Sequence, residues 1–141
     1  MLEDLEIYDV FLVYEESCDY AWVETELIPK ISDEWGFNFC VSRMLDSGSQ
    51  FENCEIAIAS SRKIILVITP AYAADSWCQF QMEMILTAIR KRIIVIYKED
   101  VPARNMSRTL FALLQSGHVK YGQDPVALEL FWKTLHDKLK K

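Results

Sequence analysis

The chain has 141 residues, 51% of them apolar, with a net charge of −6 at pH 7 and an isoelectric point near 4.9. This composition predicts one packed domain over residues 1–141, and the acidic balance argues against nucleic acid as a partner. The apolar runs are shorter than a membrane span, and the acidic residues after Met1 are unlike a secretory signal, so we expect no direct membrane insertion.

Strand and helix signals alternate along the chain. Strands are predicted over residues 7–14, 37–41, 63–69, 92–97 and 118–121, and helices over residues 19–28, 49–60, 76–90, 107–115 and 124–139. This alternation is typical of an α/β fold, in which a parallel sheet carries helices on both faces. It favours a five-stranded flavodoxin-like sheet with the strand at 63–69 near its centre. Asp9, the one charge inside the first strand, is predicted to bond a neighbouring backbone amide.

Local capping signals predict where the helices begin. Asp19 is the expected N-cap of the first helix, and Ser49 and Ser76 each begin a capping-box pattern. Pro29 predicts a break or bend near Ile28, because proline lacks the N–H that a helix interior uses.

The four cysteines show no metal-binding arrangement. Cys18, Cys40, Cys54 and Cys78 form no Cys-x-x-Cys pair, and no cysteine lies at ligand spacing from a histidine. We therefore expect no metal site and a reducing, cytoplasmic setting. Each cysteine is predicted to pack as a small hydrophobic side chain.

Several enzyme classes are disfavoured because the predicted strand ends lack their motifs. The chain contains no glycine-rich phosphate loop and no Gly-x-Ser-x-Gly sequence. Glu15 and Glu16 could supply the acids of a receiver domain. The third strand of such a domain would end in a phosphoacceptor aspartate, and here it ends in Thr69.

The loop after the second strand, residues 43–49, is the strongest candidate for a contact surface. Loops at the carboxyl ends of parallel strands are the usual functional positions of α/β sheets. This loop carries Met44 and Leu45 between Arg43 and Asp46. Apolar side chains that are exposed between charges indicate a contact site.

Five motifs, in order along the chain, resemble those of TIR (Toll/interleukin-1 receptor homology) domains. They are residues 8–14 (box one), residues 39–48 (box two and its loop), residues 61–69, the pair Trp77-Cys78, and the pair Phe131-Trp132 (box three). Details are similar to the Toll-like receptor branch and to the myeloid differentiation type of adaptor. The resemblance covers essentially the whole chain and implies a five-stranded flavodoxin-like fold.

The resemblance also implies a function. It implies a cytosolic signalling domain, either of a soluble adaptor or of a single-pass receptor. This domain would bind further copies of itself and the TIR domains of receptors or adaptors. The implied contact residues are Arg43, Met44, Leu45, Asp46, Ser47, Gly48 and Ser49. Mainly structural roles are implied for Tyr8, Asp9, Phe11, Trp77, Cys78, Phe131 and Trp132.

Two residues depart from the family pattern. Ser47 stands where the family loop carries a proline, which predicts a freer loop with a higher ordering cost on binding. Some TIR domains cleave NAD with a glutamate four residues after the tryptophan, and Gln81 occupies that position here. Glu83 lies about 200° around the helix from position 81 and is expected to face away. The resemblance therefore implies no catalytic residue and no cofactor, with NAD cleavage as the alternative function.

Overall fold

The computed structural model describes residues 7–88 and 92–141. Its strands are β1 (Tyr8–Val13), β2 (Phe39–Cys40), β3 (Ser61–Ile68), β4 (Arg92–Tyr97) and β5 (Val119–Lys120). All four strand pairings are parallel, and the strand order is β2-β1-β3-β4-β5. This order confirms the predicted flavodoxin-like α/β fold, with β3 in the centre and β5 at an edge.

Six α-helices connect and cover the strands of the described residues. They are α1 (Glu16–Trp22), α2 (Gln50–Ser60), α3 (Pro70–Ala74), α4 (Ser76–Ala88), α5 (Arg108–Ser116) and α6 (Pro125–Lys140). Two π-helical segments, Val23–Leu27 and Pro29–Glu34, continue from α1. The predicted end of α4 at Arg90 lies outside the described residues.

The sheet separates two apolar cores because its side chains alternate between faces. Phe11, Ile64 and Leu66 point into the core on one side of the sheet. Val10 and Ile65 point into the other core. The central strands are buried on both faces, which explains why β3 and β4 appear in the sequence as continuous apolar runs.

The first helix begins one turn earlier than the sequence predicts. Glu15 is its N-cap, accepting hydrogen bonds from the backbone N–H groups of Cys18 at 2.8 Å and Ser17 at 3.2 Å. Asp19 therefore lies inside α1, and the prediction that it caps the helix is wrong. Its carboxylate is buried at 6% exposure and accepts a hydrogen bond from the Thr69 hydroxyl at 2.6 Å.

The helix continues past Pro29, so of the predicted break or bend near Ile28 the break is wrong. Ile28 keeps helical dihedral angles, and its N–H donates to the carbonyl of Val23, five residues back. Beyond the proline, the Trp35 N–H donates to the Lys30 carbonyl across the same interval. The wider π-helical turn accommodates a residue that has no N–H to donate.

Two further local predictions have different outcomes. Asp9 accepts a hydrogen bond from the Asn38 N–H at 2.8 Å, which confirms its predicted role at the start of β1. The N-cap of α4 is Asp75, whose carboxylate accepts from the Cys78 N–H at 2.8 Å, and Ser76 is the first helical residue. The predicted cap is therefore displaced by one residue, because aspartate competes well for this position.

The buried Asp19 makes stability depend on pH in a predictable direction. Burial raises its pKa above the ordinary 3.8, although the hydrogen bond from Thr69 opposes this. Stability from this residue is therefore fully present below pH 3.8 and declines as pH rises through the folded-state pKa. We expect Asp19→Asn to raise Tm at pH 7 by a few degrees, since 1 kcal/mol shifts Tm by roughly 2–8 °C in domains of this size range.

Thermal unfolding of both chains between pH 3 and pH 7 checks this expectation. The advantage of Asp19→Asn should shrink toward the acidic end, where the wild-type carboxyl is protonated. Asp33→Asn, an exposed substitution of the same type, is the matched control. A variant that is less stable than wild type at pH 7 would show instead that the ionised carboxylate stabilises the fold.

Candidate functional site

The 43–49 loop leaves β2 through a short 3-10 turn and leads into α2. The Met44 N–H donates to the Val41 carbonyl at 3.0 Å, and the Leu45 N–H donates to the Ser42 carbonyl at 3.1 Å. Ser49 ends the loop as the predicted N-cap of α2, accepting from the Glu52 N–H at 3.0 Å.

The two apolar side chains of the loop differ in exposure. Met44 is 49% exposed, as predicted. Leu45 is half-buried and packs against the core beneath α2, so the prediction that both are exposed is wrong for Leu45. The 3-10 turn places these neighbours on different sides of the loop. Met44 is therefore the apolar side chain that this loop offers to solvent.

Arg43 points back toward α1 and its π-helical extension. Its Nη1 donates to the Tyr14 hydroxyl at 2.7 Å, and its Nη2 forms an ion pair with the Glu24 carboxylate. The guanidinium carbon also lies 5.3 Å from the centre of the Tyr20 ring. Burial raises the pKa of Tyr14, although the nearby Arg43 charge opposes this, so the phenol is neutral at physiological pH.

The Asn53 side chain is hydrogen-bonded to the second half of the loop. This residue was not identified from the sequence. Its Oδ1 accepts from the Ser47 N–H at 3.0 Å and from the Ser47 hydroxyl at 2.7 Å. Its Nδ2 donates to the Leu45 carbonyl at 3.2 Å. Ser47 thus makes two hydrogen bonds that a proline, which has neither an N–H nor a hydroxyl, could not make. These bonds oppose the greater loop freedom that the loss of the proline predicts. Side chains of a helix lean toward its N-terminus, so the sequence could have suggested that an asparagine in the first turns of α2 bonds to the loop before that helix.

Gly48 allows the chain to turn from the loop into α2. Its φ angle is +106°, in the region that only glycine adopts cheaply. A Cβ atom built there would meet nothing within 4 Å, so the backbone angle and not space favours glycine.

A cavity of about 350 Å³ opens beside the loop at the carboxyl end of β1. Its wall combines the N-terminal turn of α1, the residues Ser42 and Gln50 that flank the loop, and the first turns of α4. The carboxylates on its wall are those of Glu15, Glu16 and Asp75. Glu15 and Asp75 already accept backbone hydrogen bonds as helix caps.

Gln81 lines this cavity and Glu83 does not. Gln81 is 4% exposed, and its Nε2 donates to Cys54 Sγ at 3.5 Å. Glu83 is exposed on another side of α4, where it accepts from the Thr109 hydroxyl of α5 at 2.7 Å. This confirms the prediction that the side chains at positions 81 and 83 lie on different sides of the helix.

The buried thiols near the cavity are protonated at neutral pH. Burial raises the pKa of Cys78, which lines the cavity, and also that of Cys54 beside Gln81. Burial raises the pKa of Cys40 to about 11. These three cysteines pack as the predicted hydrophobic side chains, whereas Cys18 is exposed and contradicts that prediction.

The motif residues lie in the cores or against them. Phe11 and Cys78 are fully buried, and Tyr8 and Trp77 pack against the same core. In the other core, Phe131 is buried and makes an edge-on contact with the Trp132 ring at 4.8 Å. Asp9 accepts a hydrogen bond from the backbone N–H of Asn38, as described above.

An exposed aromatic face, which sequence analysis did not identify, lies on α2 and α4. It consists of Phe51, Trp77 and Phe80, with ring centres 6.2 Å apart for Phe51–Phe80 and 5.6 Å apart for Trp77–Phe80. Phe51 and Phe80 are both about half exposed. Phe51 is only two residues beyond Ser49, so the aromatic face adjoins the end of the 43–49 loop.

The described residues show neither a metal-binding cluster nor a membrane-spanning helix. Within residues 7–88 and 92–141, no group of three or more His, Cys, Asp or Glu side chains is arranged to hold a metal ion. No helix in these ranges combines the length and the apolar character needed to cross a membrane.

Comparisons with known proteins agree on one family. The family model described as TIR domain matches residues 7–104. Mouse Toll-like receptor 13 is 28% identical over 146 residues, covering 96% of this chain and 15% of the receptor. Human Toll-like receptor 6 is 25% identical over 138 residues, covering 91% of this chain and 17% of the receptor. The chain thus spans less than a fifth of the length of these curated relatives.

Solved structures give the same result at the level of the fold. The TIR domain of the Toll-related receptor TRR-2 from Hydra magnipapillata superposes with a TM-score of 0.75 at 25% identity, covering 95% of this chain and 99% of that domain. The metazoan TIR-STING receptor from C. gigas superposes with a TM-score of 0.71 at 19% identity, covering 100% of this chain and 42% of the receptor chain.

Proposed function

Because this chain belongs to the TIR domain family, we propose that it is an innate-immune type of signalling domain that acts by binding other TIR domains. Its curated relatives are Toll-like receptors, which supports a role on the cytosolic side of a receptor or in an adaptor. We treat residues 1–141 as one such domain. The partners would include further copies of this chain and TIR domains of receptors.

The proposed contact surface is the 43–49 loop together with the adjoining aromatic face. The observation that carries this proposal is the half-exposed Met44, which lies in a loop whose backbone is hydrogen-bonded at both ends. A preorganised loop pays little ordering entropy on binding. Phe51 and Phe80 extend the apolar surface, and aromatic side chains are enriched at the centres of interfaces. Individual contacts of this size are weak, so clustering of several domains would supply the avidity.

Light scattering of the purified chain over a range of concentrations tests this proposal. We expect the mean mass to rise with concentration, and we expect the chain to bind the separately purified TIR domain of human Toll-like receptor 6. A chain that stays monomeric at every concentration and does not bind that probe would contradict the proposal.

NAD cleavage is the alternative, and we propose that this chain does not perform it. The side chain that faces the cavity at position 81 is a neutral amide, which cannot act as a carboxylate nucleophile or base. Glu83 is directed toward α5 and cannot replace it without a change in helix register.

We expect no NAD turnover above background from the purified chain at high concentration. Measuring nicotinamide release on the sample used for light scattering checks this expectation. Glu83→Ala and Gln81→Ala are the matched pair of variants if turnover is found. Turnover that is lost in either variant would contradict the proposal and identify the residue responsible.

A further inference from the structure

We propose that Arg43 is a positioning residue that holds the 43–49 loop against α1 and its extension, so that Met44 and not Arg43 meets the partner. This inference rests on the proposed function, because it assigns roles within the proposed contact surface. It differs from the sequence-based expectation, which includes Arg43 among the contact residues.

Three groups from the end of β1 and the first helical region surround the guanidinium of Arg43. Tyr14 lies at the end of β1, Tyr20 lies in α1, and Glu24 lies in the first π-helical segment. One guanidinium nitrogen donates to the Tyr14 hydroxyl and another pairs with the Glu24 carboxylate, while the Tyr20 ring lies against the same group. The planar guanidinium presents its donors in a fixed fork and can stack on a ring, geometry that the compact ammonium of lysine does not reproduce, so lysine would not substitute fully.

These contacts connect parts of the chain that are far apart in sequence. Arg43 is 29 residues from Tyr14 and 19 residues from Glu24. The loop therefore has two anchors, namely Arg43 on α1 and its extension, and Asn53 on α2, which bonds Ser47 and the Leu45 carbonyl. Between the two anchors, the chain directs Leu45 inward and Met44 outward.

A direct partner contact would require Arg43 to give up these interactions. The Arg43 side chain is 39% exposed and the Glu24 side chain is 28% exposed, so both are partly removed from water. Releasing the guanidinium would leave the Glu24 carboxylate and the Tyr14 hydroxyl without this donor. Holding the loop preserves all three contacts during binding and so is the role that the geometry favours.

The test compares Arg43→Lys and Glu24→Gln with the wild-type chain. Two measurements are made on each protein: hydrogen exchange of the amides in residues 42–49, and the concentration at which association is half complete. Arg62→Lys is the matched control, because Arg62 forms an ion pair with Asp9 at the opposite end of β1. Thermal unfolding of each variant verifies that it is folded.

Both variants should accelerate exchange in the loop and raise the half-association concentration, each by about three- to tenfold, as expected for losing one partly exposed charged hydrogen bond. The control should change neither. Glu24→Gln is the decisive variant, since Glu24 lies outside the loop. If Arg43 were a direct contact, removing its intramolecular partner would leave association unchanged or strengthen it, because Arg43 would give up less on binding.

Unchanged loop exchange in Arg43→Lys would overturn the proposal. So would an association that weakens in Arg43→Lys but stays at the wild-type level or becomes stronger in Glu24→Gln. A wild-type chain that does not associate at all would overturn the proposed function, whereas the exchange comparison would still decide whether Arg43 holds the loop.

Discussion

Replacing Met44 with Asp is expected to abolish self-association while leaving the thermal transition nearly unchanged. Met44 is about half exposed in an anchored loop, so a carboxylate there costs little in the folded monomer. In an interface the same carboxylate would be desolvated without a partner, which is strongly unfavourable. Light scattering gives the association and thermal unfolding gives the stability, within about 0.5 kcal/mol of wild type.

Leu130→Asp is the matched control for this prediction. Leu130 is 63% exposed on α6 and lies outside the proposed contact surface. The substitution therefore introduces the same charge at an apolar position that is more exposed than Met44. We expect it to associate like wild type. Leu45→Asp is a poor test, because Leu45 packs on the core and its replacement would also destabilise the fold. Association that survives Met44→Asp would mean that the loop is not the interface.

Replacing Phe131 with Ala is expected to cost about 3–5 kcal/mol of unfolding free energy, the usual range for a buried phenylalanine. Phe131 is 1% exposed and packs edge-on against Trp132 at 4.8 Å and Tyr121 at 5.0 Å. Truncation would leave a cavity between α6 and the sheet. Because small domains have only about 5–15 kcal/mol of stability, the variant should unfold at a markedly lower urea concentration.

Leu130→Ala is the control for the structural prediction, since it also truncates an apolar side chain to alanine, at the neighbouring and exposed position of α6. We expect it to change the unfolding free energy by less than about 0.5 kcal/mol. A loss below about 1 kcal/mol for Phe131→Ala would contradict the mainly structural role of this motif. Both variants can be measured by urea denaturation monitored by tryptophan fluorescence.

The predictions for Met44→Asp and Phe131→Ala distinguish a motif that serves binding from a motif that stabilises the fold. Phe131 belongs to a motif whose side chains stabilise the fold, and its variant should lose stability first. Met44 lies in a loop, and the described residues leave its side chain about half exposed. Its Asp variant should therefore lose association while it keeps its stability. A stability measurement and an association measurement on the same pair of variants therefore distinguish the two.

Local chemistry explains why much of the fold could be predicted. The continuous β-branched runs of β3 and β4 predict buried parallel strands, and the capping box that begins at Ser49 marks the start of α2 within a few residues of sequence. Such signals depend on neighbours along the chain and are visible without the tertiary structure. The opposition of Gln81 and Glu83 follows from helix geometry alone.

The roles that the sequence could not predict depend on contacts between distant residues. Asp19 is the predicted cap of the first helix, and packing against Thr69, 50 residues away, buries it inside α1 instead. Pro29 stays helical because the flanking turns become wider. Local propensity gives way in both cases to packing of the whole helix on the sheet.

The sequence by itself determined the order of the elements, the family and the loop that carries Met44, because periodicity, capping and motifs are local. Only the tertiary structure decided which side chains of that loop are bonded to the rest of the chain. In the folded chain, Arg43 forms an ion pair with Glu24, and Ser47 forms a hydrogen bond with Asn53. Phe51 and Phe80, which are 29 positions apart in the sequence, have ring centres 6.2 Å apart. The reason is physical: side-chain partners across helices depend on how those helices pack, which no local pattern specifies.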